Sequence, residues 1–157
     1  MKKIALFVDV QNIFYTTRDT FSRQFDYRQF WQHLAHQGDI VLANAYAIQR
    51  SDDKQHKFQK ALKHIGFDVK LKPFIQRRDG SAKGDWDVGI TIDIMEAAAD
   101  VDIIVLLSGD GDFDRLLTHV AQKYGVETHV YGVQALTANS LIHAATHYHP
   151  IDESYTQ

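Results

Sequence analysis

The sequence predicts an α/β fold, a three-layer sandwich with a mainly parallel central sheet. Two runs, Lys3 to Val8 and Asp102 to Leu107, apolar after their first residue, are of the type buried on both faces of a parallel sheet. Strand-type and helix-type segments also alternate along the chain, the pattern of βα units, and no internal repeat or linker interrupts it. At 157 residues, 45% hydrophobic and 24% charged, the composition is that of one domain spanning residues 1–157.

After the first strand, Asp9 to Asn12 reads as a polar turn, followed by helical periodicity over Ile13 to Phe21. Tyr27 to Ala35 repeats that pattern with Phe30, Trp31 and Leu34 at core spacing and stops before Gly38. Ile40 to Ile48 is a strand. Ser51 and Asp52 are capping residues for a lysine-rich helix that runs to Ile65 and closes at Gly66. Phe67 to Ile75 is a further strand, and Gln76 to Gly84, with Arg77, Arg78, Asp79-Gly80 and Lys83, is a flexible loop. An apolar helix covers Asp85 to Ala99; its glycine and alanines suit close packing within the core or across a homodimer. Asp102 to Leu107 leads into the sharp turn Ser108 to Asp112, then a helix to Lys123. Val126 to Tyr131 is the last core strand, Thr137 to Ala145 a helix, and Tyr148 to Ile151 a short edge strand.

The chain has no cysteine, which excludes a disulfide framework, thiolate metal sites and a cysteine nucleophile. No apolar run approaches the ~20 residues of a spanning helix and no signal-peptide pattern is visible, so a cytoplasmic protein without membrane contact is expected. The formal net charge of −3 hides an asymmetry. Residues 54 to 83 hold nine basic side chains against Asp68 and Asp79, beside an acidic remainder. That suits a polyanion track next to a cation site, although Lys54, Lys57, Lys60 and Lys63 also fit the solvated face of an amphipathic helix.

In a parallel α/β sheet, ligands lie beyond the carboxyl ends of the strands. Two buried strands end in carboxylates here, one at Asp9 and one at Asp110 and Asp112. Clustered aspartates raise one another's pKa, and a hard cation such as Mg²⁺ or Mn²⁺ satisfies them best. Asn12 adds an oxygen or an amide donor. Asp87 lies in the first turn of the apolar helix, where the dipole favours a carboxylate and whence it can face the same rim. Asp93 interrupts the apolar helix about 240° further round, so it does not share that face and is expected in a supporting or capping role.

Three segments, Ile4-Ala-Leu-Phe-Val-Asp-Val-Gln-Asn12, Lys83-Gly-Asp-Trp-Asp-Val-Gly-Ile-Thr-Ile-Asp93 and Leu107-Ser-Gly-Asp-Gly-Asp-Phe113, occur in an order that resembles the NYN domain family, the LabA-like branch of the PIN-like metal-dependent ribonucleases. The resemblance covers roughly residues 3 to 132. It implies a PIN-like, Rossmann-like fold and an acidic metal site of Asp9, Asp87, Asp110 and Asp112, supported by Asn12 and Ser108. Glycine stands at 111, where the family pattern often has serine. The implied activity is hydrolysis of RNA phosphodiester bonds by a metal-activated water, leaving a 5′-phosphate. Arg77, Arg78 and Lys83 would then hold phosphates, and Tyr15, Phe74 and Trp86 would stack on unpaired bases. The alternative is a non-catalytic RNA-binding or regulatory module of the LabA-like type.

Other chemistries fit the residues less well. A haloacid-dehalogenase-type phosphatase wants a second aspartate at 11, where glutamine stands, and a topoisomerase-primase-like site wants a glutamate after its first strand. No G-x-G-x-x-G follows strand one. His143 and His147, four apart on an expected helix, with His149 beyond, suggest zinc, but no HExxH glutamate accompanies them.

Overall fold

The computed structural model describes residues 1–50, 52–73, 75, 76, 82, 83 and 85–157, with the backbone alone at 75, 76, 82 and 83. Its centre is a six-stranded sheet in the order β3-β2-β1-β6-β7-β8, formed by β1 (Lys3–Asp9), β2 (Asp39–Gln49), β3 (Asp68–Pro73), β6 (Ile103–Leu107), β7 (Glu127–Gly132) and β8 (His147–Pro150). All five pairings are parallel. Between β3 and β6 in the chain, β4 (Ile75–Gln76) and β5 (Ala82–Lys83) pair as a separate two-stranded antiparallel sheet.

Burial alternates along the central strands and builds a core on each face. Ile4, Leu6 and Val8 of β1 join Ile103, Val105 and Leu107 of β6 on one side. There they meet α1 (Val10–Phe21), α2 (Tyr27–Ala35) and α3 (Asp53–Ile65) through Ile13, Phe30, Leu34 and Leu62. Ala5, Phe7, Ile104 and Leu106 face the other way, against α4 (Asp87–Ala97), α5 (Asp114–Tyr124) and α6 (Asn139–Ala144). This is the three-layer α/β sandwich that the apolar runs require, because strands apolar on both faces must be covered on both. No helix among the described residues is long and apolar enough to cross a membrane.

Several elements depart from the sequence expectation. The polar turn expected over Asp9 to Asn12 does not form: Asp9 ends β1 and α1 begins at Val10, since Val10 and Ile13, three apart, are both buried in the core and the Thr17 hydroxyl donates to the Ile13 carbonyl at 2.7 Å. The strand expected over Phe67 to Ile75 stops at Pro73, which has no N–H to give the ladder. The expected loop over Gln76 to Gly84 contributes β5 and the end of β4, while Phe74, Arg77, Arg78, Asp79, Gly80, Ser81 and Gly84 lie outside the described residues. α4 starts at Asp87 rather than Asp85. α6 ends at Ala144 and His147 belongs to β8, so His143 and His147 are not a pair on one helix turn.

Asp52 caps α3, its carboxylate accepting from the Gln55 N–H at 2.8 Å, and Lys54, Lys57, Lys60 and Lys63 are exposed while Leu62 is buried. That is the solvated face of an amphipathic helix. α4 divides likewise, with Ile90 and Ile94 buried and Val88, Ile92 and Met95 exposed.

Candidate functional site

β1 and β6 are neighbours at the point where the strand order reverses, the place where a doubly wound sheet opens a crevice beyond its carboxyl ends. Val8 pairs with Leu107, so the next residues, Asp9 and Ser108, leave the sheet side by side. The Ser108 hydroxyl donates to Asp9 Oδ2 at 3.2 Å and accepts from the Asp110 N–H at 3.2 Å. Asn12, one turn into α1, accepts from the Gly109 N–H through Oδ1 at 3.0 Å. A strand-end aspartate and a helix asparagine thus hold the loop after β6 in place.

Gly109 is there because the chain passes too close to the loop before α6 for a side chain. A Cβ on Gly109 would lie 2.6 Å from the Leu136 carbonyl oxygen. Gly109→Ala is expected to cost about 1–3 kcal/mol of stability, as overpacking against backbone does, and a denaturant melt measures it.

Asp110 caps the 3₁₀ turn Gly111–Phe113, its Oδ1 accepting from the Asp112 N–H at 2.9 Å. Asp87 enters from the first turn of α4, on the neighbouring element. Carboxylate oxygens of Asp87, Asp110 and Asp112 lie within 4.8 Å of one another. Burial raises the Asp87 pKa to about 7, helped by a hydrogen bond to Asp110 and by the charges of Asp110, Asp85 and Asp9. Burial likewise raises Asp9 to about 6, against the opposing hydrogen bonds from the Asn12 backbone and Ser108. Buried carboxylates that resist ionisation, as Asp9 and Asp87 do, suit a hard divalent cation, whose charge favours their ionised form.

The remaining expected residues are distributed differently. Asp93 stands apart from the cluster: its Oδ2 accepts from the Tyr46 hydroxyl at 2.7 Å and from Lys70 Nζ at 3.1 Å, which accounts for a carboxylate in an apolar helix. Trp86 is engaged by protein, donating through Nε1 to the Ala47 carbonyl at 2.9 Å with Lys72 Nζ 4.7 Å from its ring centre. Tyr15 is exposed on α1 beside Phe14, and the Arg18 guanidinium lies 5.0 Å and 5.2 Å from the two ring centres. The backbone of Lys83 lies in β5; its side chain, like Arg77, Arg78 and Phe74, is outside what is described.

One acid was missed by sequence reasoning. Asp85 accepts from the Asp87 N–H at 3.3 Å and its charge raises both Asp9 and Asp87. Its signal was the alternation Asp85-Trp-Asp87, concealed by reading Asp85 as the first residue of the helix.

The NYN domain family model matches residues 3–152. The low amplitude and bright protein LabA of Synechococcus elongatus is 31% identical over 156 residues, covering 93% of this chain and 82% of that protein. The crystal structure of a Vibrio parahaemolyticus protein of unknown function superposes with a TM-score of 0.94 at 50% identity, over 99% of this chain and 96% of the other.

Proposed function

Because the chain belongs to the NYN domain family, a PIN-like, nuclease-type family, we propose that it is a metal-dependent ribonuclease that hydrolyses RNA phosphodiester bonds. The observation that carries this reading is the convergence of Asp87, Asp110 and Asp112 within 4.8 Å at the sheet's switch point, with Asp9 tied to the same loop through Ser108. Asp9, Asp87, Asp110 and Asp112 are the residues to hold Mg²⁺ or Mn²⁺. Such a cation supplies a Lewis acid for a phosphodiester oxygen and lowers the pKa of an attacking water.

The chain's own groups do the positioning. Ser108 orients Asp9 and, by accepting the Asp110 N–H, sets the loop that carries Asp110 and Asp112. Asn12 fixes the same loop at Gly109. Arg77, Arg78 and Lys83, just before Asp87 in the chain, neutralise phosphates of the incoming strand, and the exposed Tyr15 ring offers a base a stacking face. Replacing Arg77 and Arg78 together by alanine is expected to weaken single-stranded RNA binding uniformly across sequences. The slope of log affinity against log salt should fall by about 0.7 per lost phosphate contact, read from binding isotherms at several salt concentrations.

The decisive assay is cleavage of end-labelled single-stranded RNA by the purified protein with Mn²⁺, Mg²⁺ or EDTA. Metal-dependent cutting that leaves 5′-phosphate ends supports the proposal. Inactivity across several RNAs together with retained RNA binding would replace it with a non-catalytic RNA-binding module.

A further inference from the structure

The other end of the sheet carries a second set of ligand-type side chains. Glu127 and His129 alternate onto one face of β7, and the parallel register sets His147 of β8 opposite His129 and His149 opposite Tyr131. Donor atoms of Glu127, His129 and His147 lie within 4.8 Å of one another. His147 Nε2 is 3.6 Å from Glu127 Oε1, and His129 Nε2 is 3.9 Å from Glu127 Oε2. Ligands of a tetrahedral ion with bonds near 2.0–2.1 Å stand about 3.4 Å apart, within about 0.5 Å of the two carboxylate–imidazole separations.

Two further observations point at a ligand. His129 Nε2 is buried and has no hydrogen-bond partner, although a buried polar atom is normally satisfied. His129 Nδ1 is 2.9 Å from His149 Nε2, and His149 is itself stacked on Tyr131 with ring centres 4.4 Å apart. A ring held at one nitrogen with its other nitrogen bare and aimed at a carboxylate is the arrangement of a metal-ligating histidine with its outer partner.

We propose that Glu127, His129 and His147 form a site for a borderline-soft divalent transition ion of the Zn²⁺ type, with His149 as the positioning residue. Two imidazoles and one carboxylate match zinc and disfavour Mg²⁺, and three protein ligands leave a fourth position open. The ion would tie the edge strand β8 to β7. Glu127 pairs in register with Ile103, four residues before Leu107, so it lies about 13 Å along the strand direction from the end of β6, beyond which the aspartate cluster begins. Lys2 Nζ, 3.4 Å from Glu127 Oε2 and well exposed, swings into solvent when the ion enters.

The test is titration of metal-free protein with Zn²⁺ by calorimetry, with Co²⁺ absorption reporting tetrahedral nitrogen and oxygen ligation. One equivalent should bind to the wild type and to Asp110→Asn alike. His147→Ala, at an exposed position that folding tolerates, and Glu127→Gln should each abolish it, and His149→Phe should weaken it about 10- to 100-fold. No binding by the wild type, or binding unchanged in His147→Ala and Glu127→Gln, overturns the proposal. Loss of binding in Asp110→Asn would move the ion to the aspartate cluster and overturn it equally. None of these outcomes bears on the ribonuclease assay, which reads Mn²⁺ or Mg²⁺ at the other end of the sheet.

Discussion

Replacing Asp110 with asparagine is expected to lower the proposed Mn²⁺-dependent RNA cleavage by about three orders of magnitude and at the same time to stabilise the metal-free protein. Asparagine keeps an oxygen to accept the Asp112 N–H, so the 3₁₀ turn after β6 is retained and only the charge is lost. On the proposed mechanism, removing one carboxylate from the set of Asp87, Asp110 and Asp112 would forfeit several kcal/mol of transition-state stabilisation, and about 4 kcal/mol at 1.36 kcal/mol per decade is about a thousandfold. Stability moves the other way because Asp87 ionises against Asp110 in the wild type. The gain in the variant is about 1 kcal/mol after discounting for the solvent that screens half-buried Asp87. Initial cleavage rates and urea melts of one preparation in EDTA read both signs. Lost activity with lost stability would mean a folding defect, and unchanged activity would remove Asp110 from the catalytic set.

Metal affinity is expected to rise steeply with pH. Asp9 and Asp87 hold protons with pKa values near 6 and 7, above the ordinary 3.8, so the folded metal-free protein binds more protons than the unfolded chain between about pH 4 and 7. The stability these groups contribute is therefore full below about pH 4 and is lost as pH rises through 6 and 7. A cation must displace those protons, so Mg²⁺ affinity tightens about 100-fold from about pH 5.5 to about pH 7.5, with proton release that calorimetry in buffers of different ionisation enthalpy counts. Mg²⁺ is the probe of choice because the Glu127–His129–His147 set disfavours it. In Asp87→Asn the change over that range should shrink to about 4-fold, the share of Asp9 alone. A pH-independent affinity would show that these carboxylates are not the ligands.

Much of this site was legible before the fold. An apolar run ending in a carboxylate is a local signal, and both runs at issue, Ile4–Val8 and Ile103–Leu107, became the central strands of the sheet. The alternation of βα units then placed Asp9 and Ser108 to Asp112 at carboxyl ends. Asp93 was harder. Helix geometry put it off the face of Asp87, but its partners Tyr46 and Lys70 come from strands 47 and 23 residues away, which no local pattern names. Asp85 was misread for the opposite reason, since a helix boundary is decided by a residue or two and its charge acts only through folded neighbours.

The histidines mark the same division. Spacing joined His143 to His147 as though on one helix, whereas β7 and β8 pair in register and bring His147 to His129 and Glu127 instead. The sequence by itself determined the layers, the parallel strands and the acidic strand ends, because burial on two faces and helical period are written in neighbouring residues. Only the tertiary structure decided which ends meet, since the Ser108–Asp9 contact spans 99 positions and exists only because β1 and β6 pair at the switch point.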